Sequence, residues 1–264
     1  VSVAGGGHGR TVATLAVTDG ARYEDAARRS GIPLSTKVPF NDVVGMGAAV
    51  DDTVAAVIVE PVQGLTGARD CSPDFLRAAR LACDREGAVL IFDEIQCGVG
   101  RCGAFSAAEA YEVIPDVITF AKGLAAGLPI GAMVATPAMT ASLKVGDLGS
   151  TFGGGPVPCA AAIANLQVIK KERLVKGVLD HMAFSGKGLA AAVEKLKAHD
   201  VPYELRRLPQ GGFGERQSGV SHRLRAVDAG LHSLVAGDDR PGRRGLQDPL
   251  IRCDGIGHGG IRNW

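Results

Sequence analysis

The sequence predicts an α/β protein: a mainly parallel sheet flanked by helices, followed by an irregular C-terminal tail. Three observations predict it. Strand-like and helix-like segments alternate over the first two-thirds of the 264 residues. Two short apolar runs, Val89-Leu90-Ile91-Phe92 and Val117-Ile118-Thr119-Phe120-Ala121, lack the polar alternation of a half-exposed strand and fit strands buried on both faces. A helix with clear start and stop signals separates the first run from an earlier strand, giving a β-helix-β rhythm.

In chain order, residues 54–59 form the first clear strand candidate, ending in Glu60-Pro61. Ser72 suits an N-cap, Pro73 the first helical position and Gly87 the C′ position of the helix that follows. Phe75, Leu76, Ala79 and Cys83 supply its apolar stripe. The two apolar strands come next, and residues 158–174 read as a helix with Ile163, Leu166 and Ile169 in register. A more exposed helix is expected over 180–199. After Val201 the chain holds ten arginines, no lysine and many glycines, with no period of 2 or 3.6. The expected division is 1–175 as the large domain, 176–200 as a connecting helix and 201–264 as a divergent segment.

Composition narrows the function classes. The chain is 46% hydrophobic and 22% charged, with a formal net charge of +1, which gives no nucleic-acid footprint. No apolar run approaches the roughly 18 residues of a membrane span. The start, Val-Ser-Val-Ala-Gly-Gly-Gly, has no signal-peptide pattern. Six cysteines and six histidines show no C-x-x-C or H-E-x-x-H spacing, so no metal site is expected. Cys83 and Cys159 fall in helical patterns and read as small core residues, and a reducing cytoplasm is the expected location.

The two apolar strands each end in a reactive group. In parallel α/β sheets, ligands bind beyond the carboxyl ends of the strands. Asp93 follows the first run, and Lys122 stands just past the second. An acidic strand end also occurs in P-loop ATPases, but the required G-x-x-x-x-G-K-[ST] string is absent. Alternatively, Asp93 and Glu94 simply cap the next turn. A lysine desolvated at a strand end is a good amine nucleophile for Schiff-base chemistry. Pyridoxal phosphate requires such a lysine, and an acid to pair with its pyridinium nitrogen.

A set of ordered strings carries a family resemblance: His8-Gly9-Arg10-Thr11, Glu60-Pro61-Val62-Gln63-Gly64, and Ile91-Phe92-Asp93-Glu94-Ile95-Gln96 leading to Gly98-Val99-Gly100-Arg101. Ala121-Lys122-Gly123-Leu124, Pro129-Ile130-Gly131-Ala132 and Gly149-Ser150-Thr151-Phe152-Gly153-Gly154 continue it. In order and spacing, residues 1–195 resemble the class III, fold-type I pyridoxal-phosphate aminotransferases, most of all the acetylornithine aminotransferases. The resemblance implies Lys122 as the Schiff-base lysine and proton carrier, and Asp93 as the partner of the ring nitrogen. It implies Gln96 at the ring hydroxyl, Ile95 against a ring face and His8 beside the cofactor. Ser150 and Thr151 would serve the cofactor phosphate, Thr151 that of a neighbouring subunit, hence a homodimer with shared sites. Arg10 would take the substrate carboxylate, and Glu60 would lie on the substrate side. The implied partners are an amino donor, acetylornithine or a similar compound, and a 2-oxo acid such as 2-oxoglutarate.

The chain departs from that pattern at identifiable places. Gly7 stands where relatives carry an aromatic that stacks on the cofactor. Leu65 stands where many relatives acting on ornithine-type substrates have Glu, which keeps 4-aminobutyrate or another ω-amino acid open as the donor. Gly155 replaces a common Asn. The family's phosphate-binding loop precedes the segment that begins here at Val1, and residues after Val201 do not resemble its C-terminal domain. A truncated or frame-shifted product is therefore expected, with an inactive fragment as a further alternative.

Overall fold

The structure, a computed structural model, describes residues 1–178, 204–207 and 213–216. A six-stranded sheet forms its centre. In chain order its strands are β1 (Ser2–Val3), β2 (Lys37–Val38) and β3 (Ala56–Val59). After β4 (Val62–Gln63) and β5 (Arg69–Asp70), a small antiparallel pair outside this sheet, come β6 (Val89–Asp93), β7 (Val117–Phe120) and β8 (Ala132–Ala135). The spatial order is β2-β1-β3-β6-β7-β8, with every pair parallel except β7 and β8. The expected mainly parallel sheet is thus present, with one antiparallel edge strand.

The helices are α1 (Val12–Leu15), α2 (Ala21–Arg29), α3 (Val43–Ala49), α4 (Pro73–Glu86), α5 (Ala107–Tyr111), α6 (Pro137–Thr140) and α7 (Pro156–Lys171). The predicted helix after Ser72 is α4. Ser72 Oγ accepts a hydrogen bond from Phe75 N–H, Pro73 opens the helix, and Gly87 leaves it at φ +72°. Its buried face (Phe75, Leu76, Ala79, Cys83) meets Met46 of α3 and Val57, Val59, Leu90 and Phe92 of the central strands. All of these side chains are fully shielded, each worth roughly 1.5–3 kcal/mol for the large ones. Arg80 ties α4 to the β6–β7 region, donating to Asp116 Oδ2 at 2.9 Å, and that oxygen also accepts from Leu90 N–H at 2.8 Å.

The second apolar cluster is smaller. α7 begins two residues earlier than predicted, with Pro156 in its first turn, and packs Ala162 and Leu166 against Leu124 and Ala125. Ile163 faces outward at 58% exposure, so the predicted stripe is displaced toward the small residues of the helix. Against the short 3-10 turn it packs Ala161, Ala162 and Leu166, while Ile163 points away. Cys83 is buried as predicted, whereas Cys159, in the first turn of α7, is only half-buried.

β9 (Glu204–Arg207) and β10 (Phe213–Arg216) pair antiparallel. The helix predicted over 180–199 and most of 201–264 lie outside the described residues. Among the described residues, no helix is long and apolar enough to cross a membrane.

Candidate active site

β6 delivers Asp93 to the carboxyl end of the sheet, directly opposite Thr119 of β7 in the strand register. The strand owes its position to Leu90 and Phe92, both buried without residual exposure. Asp93 itself is 5% exposed. A carboxylate shielded to this degree needs partners, because the charge loses its water. Its Oδ2 lies 2.8 Å from His8 Nδ1, and its Oδ1 accepts from Ile95 N–H at 3.2 Å and from the Thr119 hydroxyl at 3.3 Å. A carboxylate only accepts, so His8 Nδ1 carries the proton in this pair.

His8 is held from its backbone side. Its N–H donates to Thr18 Oγ1 at 3.0 Å, and that hydroxyl donates to Gly9 O at 3.2 Å. The other ring nitrogen, Nε2, is buried with no hydrogen-bond partner among the described residues. The glycine run before it allows the chain to pass this close: a Cβ on Gly6 would stand 3.0 Å from His8 Nε2 and 2.9 Å from Val3 O.

Glu60 and Glu94 divide the remaining buried acid between structural tasks. Glu60 Oε1 accepts from Gly7 N–H at 2.6 Å and Oε2 from Gly64 N–H at 3.4 Å, clasping two glycine segments together. Burial pushes its carboxyl above the ordinary range, against the pull of the Gly7 N–H and of His8. Glu94 accepts from Ala107 and Ala108 N–H at 2.7 and 2.9 Å, and burial likewise raises its carboxyl. The capping role considered for the Asp93-Glu94 pair therefore belongs chiefly to Glu94, while Asp93 turns to His8.

Lys122 occupies different ground. β7 ends at Phe120, and Lys122 opens the 3-10 turn Lys122–Ala125 at φ +45°. It is exposed, and its ammonium has no hydrogen bond or ion pair among the described residues. The desolvation expected for it is absent: the strand stops one residue before the apolar run does, and Lys122 opens the exposed turn beyond it. Topology still brings it near the acid: Thr119, the register partner of Asp93, lies three residues before it.

Of the other predicted residues, Ile95 is half-buried and Gln96 is exposed, with its amide lying over Gly64 so that a Cβ there would collide with it. Arg10 is exposed and stacks its guanidinium on the Tyr23 ring, 4.7 Å from the centroid. Ser150 and Thr151 lie in an exposed turn closed by Gly153 N–H to Ser150 O at 3.1 Å, and neither hydroxyl has a partner among the described residues. The structure thus gathers His8, Asp93, Ile95 and Glu60 at the glycine-lined strand ends and leaves Arg10, Ser150 and Thr151 outside that group. The place of the missing aromatic is partly taken: a Cβ on Gly7 would be 2.6 Å from Leu65 Cδ1. Thr18 and Thr119 are site residues that sequence reasoning passed over. A lone threonine inside the apolar run, directly opposite Asp93, was the available signal for Thr119. Among the described residues no group of three or more His, Cys, Asp or Glu is placed to hold a metal ion.

Comparison with known proteins bears on this arrangement. The chain matches the family Aminotransferase class-III over residues 1–231. It is 44% identical over 190 residues to the acetylornithine aminotransferase of Methanocaldococcus jannaschii, covering 72% of this chain and 46% of that protein. It is 38% identical to the acetylornithine aminotransferase of Shewanella oneidensis, over 87% of this chain and 57% of the relative. In structure it resembles the ornithine aminotransferase of Toxoplasma gondii ME49, with a TM-score of 0.66 at 32% identity, covering 78% of this chain and 48% of that one. The chain spans about half the length of the curated relatives it matches.

Proposed function

The chain belongs to the class-III aminotransferases, and from that premise we propose that it carries the ring-binding part of a pyridoxal 5′-phosphate site. The reaction is transfer of an amino group from acetylornithine, or a similar donor, to a 2-oxo acid such as 2-oxoglutarate. The observation that carries the reading is Asp93, a buried carboxylate braced by His8 and Thr119 at the strand ends. The donor set fits the cofactor ring: an acid for its nitrogen, an amide at Gln96 and an amine at Lys122. When bound, the cofactor supplies a carbonyl for amines and a ring that accepts electrons.

The chain's own residues divide the work. Asp93 is the group that would pair with a proton on the ring nitrogen, and the His8 and Thr119 hydrogen bonds hold its carboxylate in orientation. Lys122 Nζ, free of hydrogen bonds and ion pairs among the described residues, is the amine that would hold the cofactor and carry a proton to and from the substrate carbon. Arg10 offers a planar fork to a substrate carboxylate, and its exposure leaves that fork open from the Tyr23 stack. Ser150 and Thr151 act on the phosphate, Thr151 on that of a second copy of the chain. The exposed Leu148, Phe152, Val157 and Ile163 around them support a homodimer that covers this surface.

Leu65, 67% exposed beside Gly7, favours a second donor class, 4-aminobutyrate or another ω-amino acid. Pyridoxal phosphate titration tests the common core of both readings. The expected result is a visible absorption band that is absent in Lys122→Ala and weakened in Asp93→Asn. A wild-type protein with no lysine-dependent band is the inactive fragment instead. Where the band forms, a donor screen with acetylornithine, ornithine and 4-aminobutyrate separates the substrate classes, and sedimentation tests the dimer.

A further inference from the structure

α7 lies over the turn that carries Lys122, and one polar residue stands among the apolar ones it packs there. Ala161, Ala162 and Leu166 belong to the same cluster as Leu124 and Ala125. Asn165 is half-buried beside them, and its amide nitrogen donates to Gly123 O at 2.8 Å and to Leu124 O at 3.0 Å. The reverse orientation would set Asn165 Oδ1 against two carbonyl oxygens, so both N–H groups face the turn. These carbonyls close a helix only four residues long, whose own backbone has no further N–H groups to offer them. The turn is also bracketed by two residues that are not glycine in left-handed conformations, Lys122 at φ +45° and Ala126 at φ +51°.

We propose that Asn165 is the positioning residue of Lys122: by clamping the Gly123 and Leu124 carbonyls it holds Lys122 in its left-handed conformation, and so fixes the direction in which the lysine side chain leaves the backbone. The proposal rests on the assignment of Lys122 as the cofactor amine. The lysine side chain has no hydrogen bond or ion pair among the described residues, so its direction is set by its own backbone.

Strain of this kind persists only where the surrounding contacts over-determine it. Before the turn, Phe120 anchors the strand end, 8% exposed and with its ring 5.9 Å from that of Phe105. After it, Leu124 and Ala125 are buried against α7. These apolar contacts have no hydrogen to give the carbonyls, and Asn165 supplies two. Without it Lys122 can relax toward the right-handed region, which swings its Cα–Cβ bond to a new direction.

Asn165→Ala separates this role from support of α7 itself, because alanine favours a helix interior where asparagine does not. Hydrogen exchange on the full chain without cofactor is expected to leave the α7 amides as protected as in wild type, and to speed exchange over residues 121–128 by about tenfold. Asn165→Asp, which keeps the shape and loses both donors, should loosen the same residues. Labelling of Lys122 by pyridoxal phosphate and borohydride should slow by about fivefold in Asn165→Ala, since it needs a directed amine. Reductive methylation of Lys122 by formaldehyde, which needs none, should keep its wild-type rate. The proposal is overturned if exchange over 121–128 is unchanged in both variants, if α7 loosens along with the turn, or if the turn loosens and pyridoxal phosphate labelling keeps its rate. A wild-type chain in which pyridoxal phosphate leaves Lys122 unlabelled overturns the cofactor reading instead, and the exchange result still decides the clamp.

Discussion

Asp93 ends a strand in which Leu90 and Phe92 are fully buried, whereas Lys122 sits in a turn leading into a stretch where Leu148, Phe152 and Val157 are 66–90% exposed. The acid is fixed by packing beneath it and by three hydrogen-bonding partners beside it. The lysine has neither. A rigid scaffold holds a functional group within tenths of an ångström, and a loosely packed one does not. One side of the site is ordered by the fold of this chain, and the other has no comparable packing among the described residues.

The sharpest way to break that contrast is to truncate an aromatic on each side. Phe92→Ala is expected to cost about 3–5 kcal/mol through the cavity it leaves, and Phe152→Ala to stay within about 0.5 kcal/mol. Urea unfolding of the two variants measures the difference; equal losses would abolish the distinction. The functional groups themselves come next. Asp93→Ala strands the His8 N–H and is expected to cost about 1–3 kcal/mol. Lys122→Ala, at an exposed side chain with no hydrogen bond or ion pair among the described residues, should change thermal stability by less than about 0.5 kcal/mol.

Helix starts give a smaller effect. Ser72 caps α4 through its hydroxyl, while Thr136 at the start of α6 makes no such bond. Ser72→Ala should cost about 1 kcal/mol, and Thr136→Ala much less, as read by denaturant midpoint. The smallest effect is on pH dependence. Burial raises the Glu60 and Glu94 carboxyls above their ordinary 4.5, so the folded protein retains protons that the unfolded chain has released. Stability therefore falls as pH rises from 4.5 through the raised values, and Glu60→Gln should flatten that slope. A melting series from acid to neutral pH checks it, and an unchanged slope assigns the whole dependence to other groups.

What the sequence made legible follows the same division. α4 announces itself because its cap, proline and terminal glycine act locally, within a few residues of the groups they satisfy. Asp93 is legible because an unbroken apolar run reports burial without knowledge of the partners. The His8–Asp93 bond joins residues 85 apart in sequence, and no local pattern encodes such a contact. Lys122 misleads in the opposite direction, since apolar side chains continue past the point where strand hydrogen bonding stops. α7 misleads for a related reason: its large residues fall at helical spacing, but the face it packs inward is Ala161, Ala162 and Leu166, and Ile163 is left exposed. Ser150 and Thr151 lie in an exposed turn whose hydroxyls have no partner among the described residues, so no packing pattern in the sequence marks them.

The central claim is that the braced acid and the exposed lysine serve one cofactor. Borohydride reduction of the pyridoxal phosphate-treated protein fixes the cofactor on whichever lysine it has joined, and peptide mapping then finds it. The account predicts the label on Lys122, strongly reduced when Asp93 is replaced by Asn. Label spread over several lysines, or concentrated on Lys37 or Lys144 with Lys122 unmodified, would contradict it.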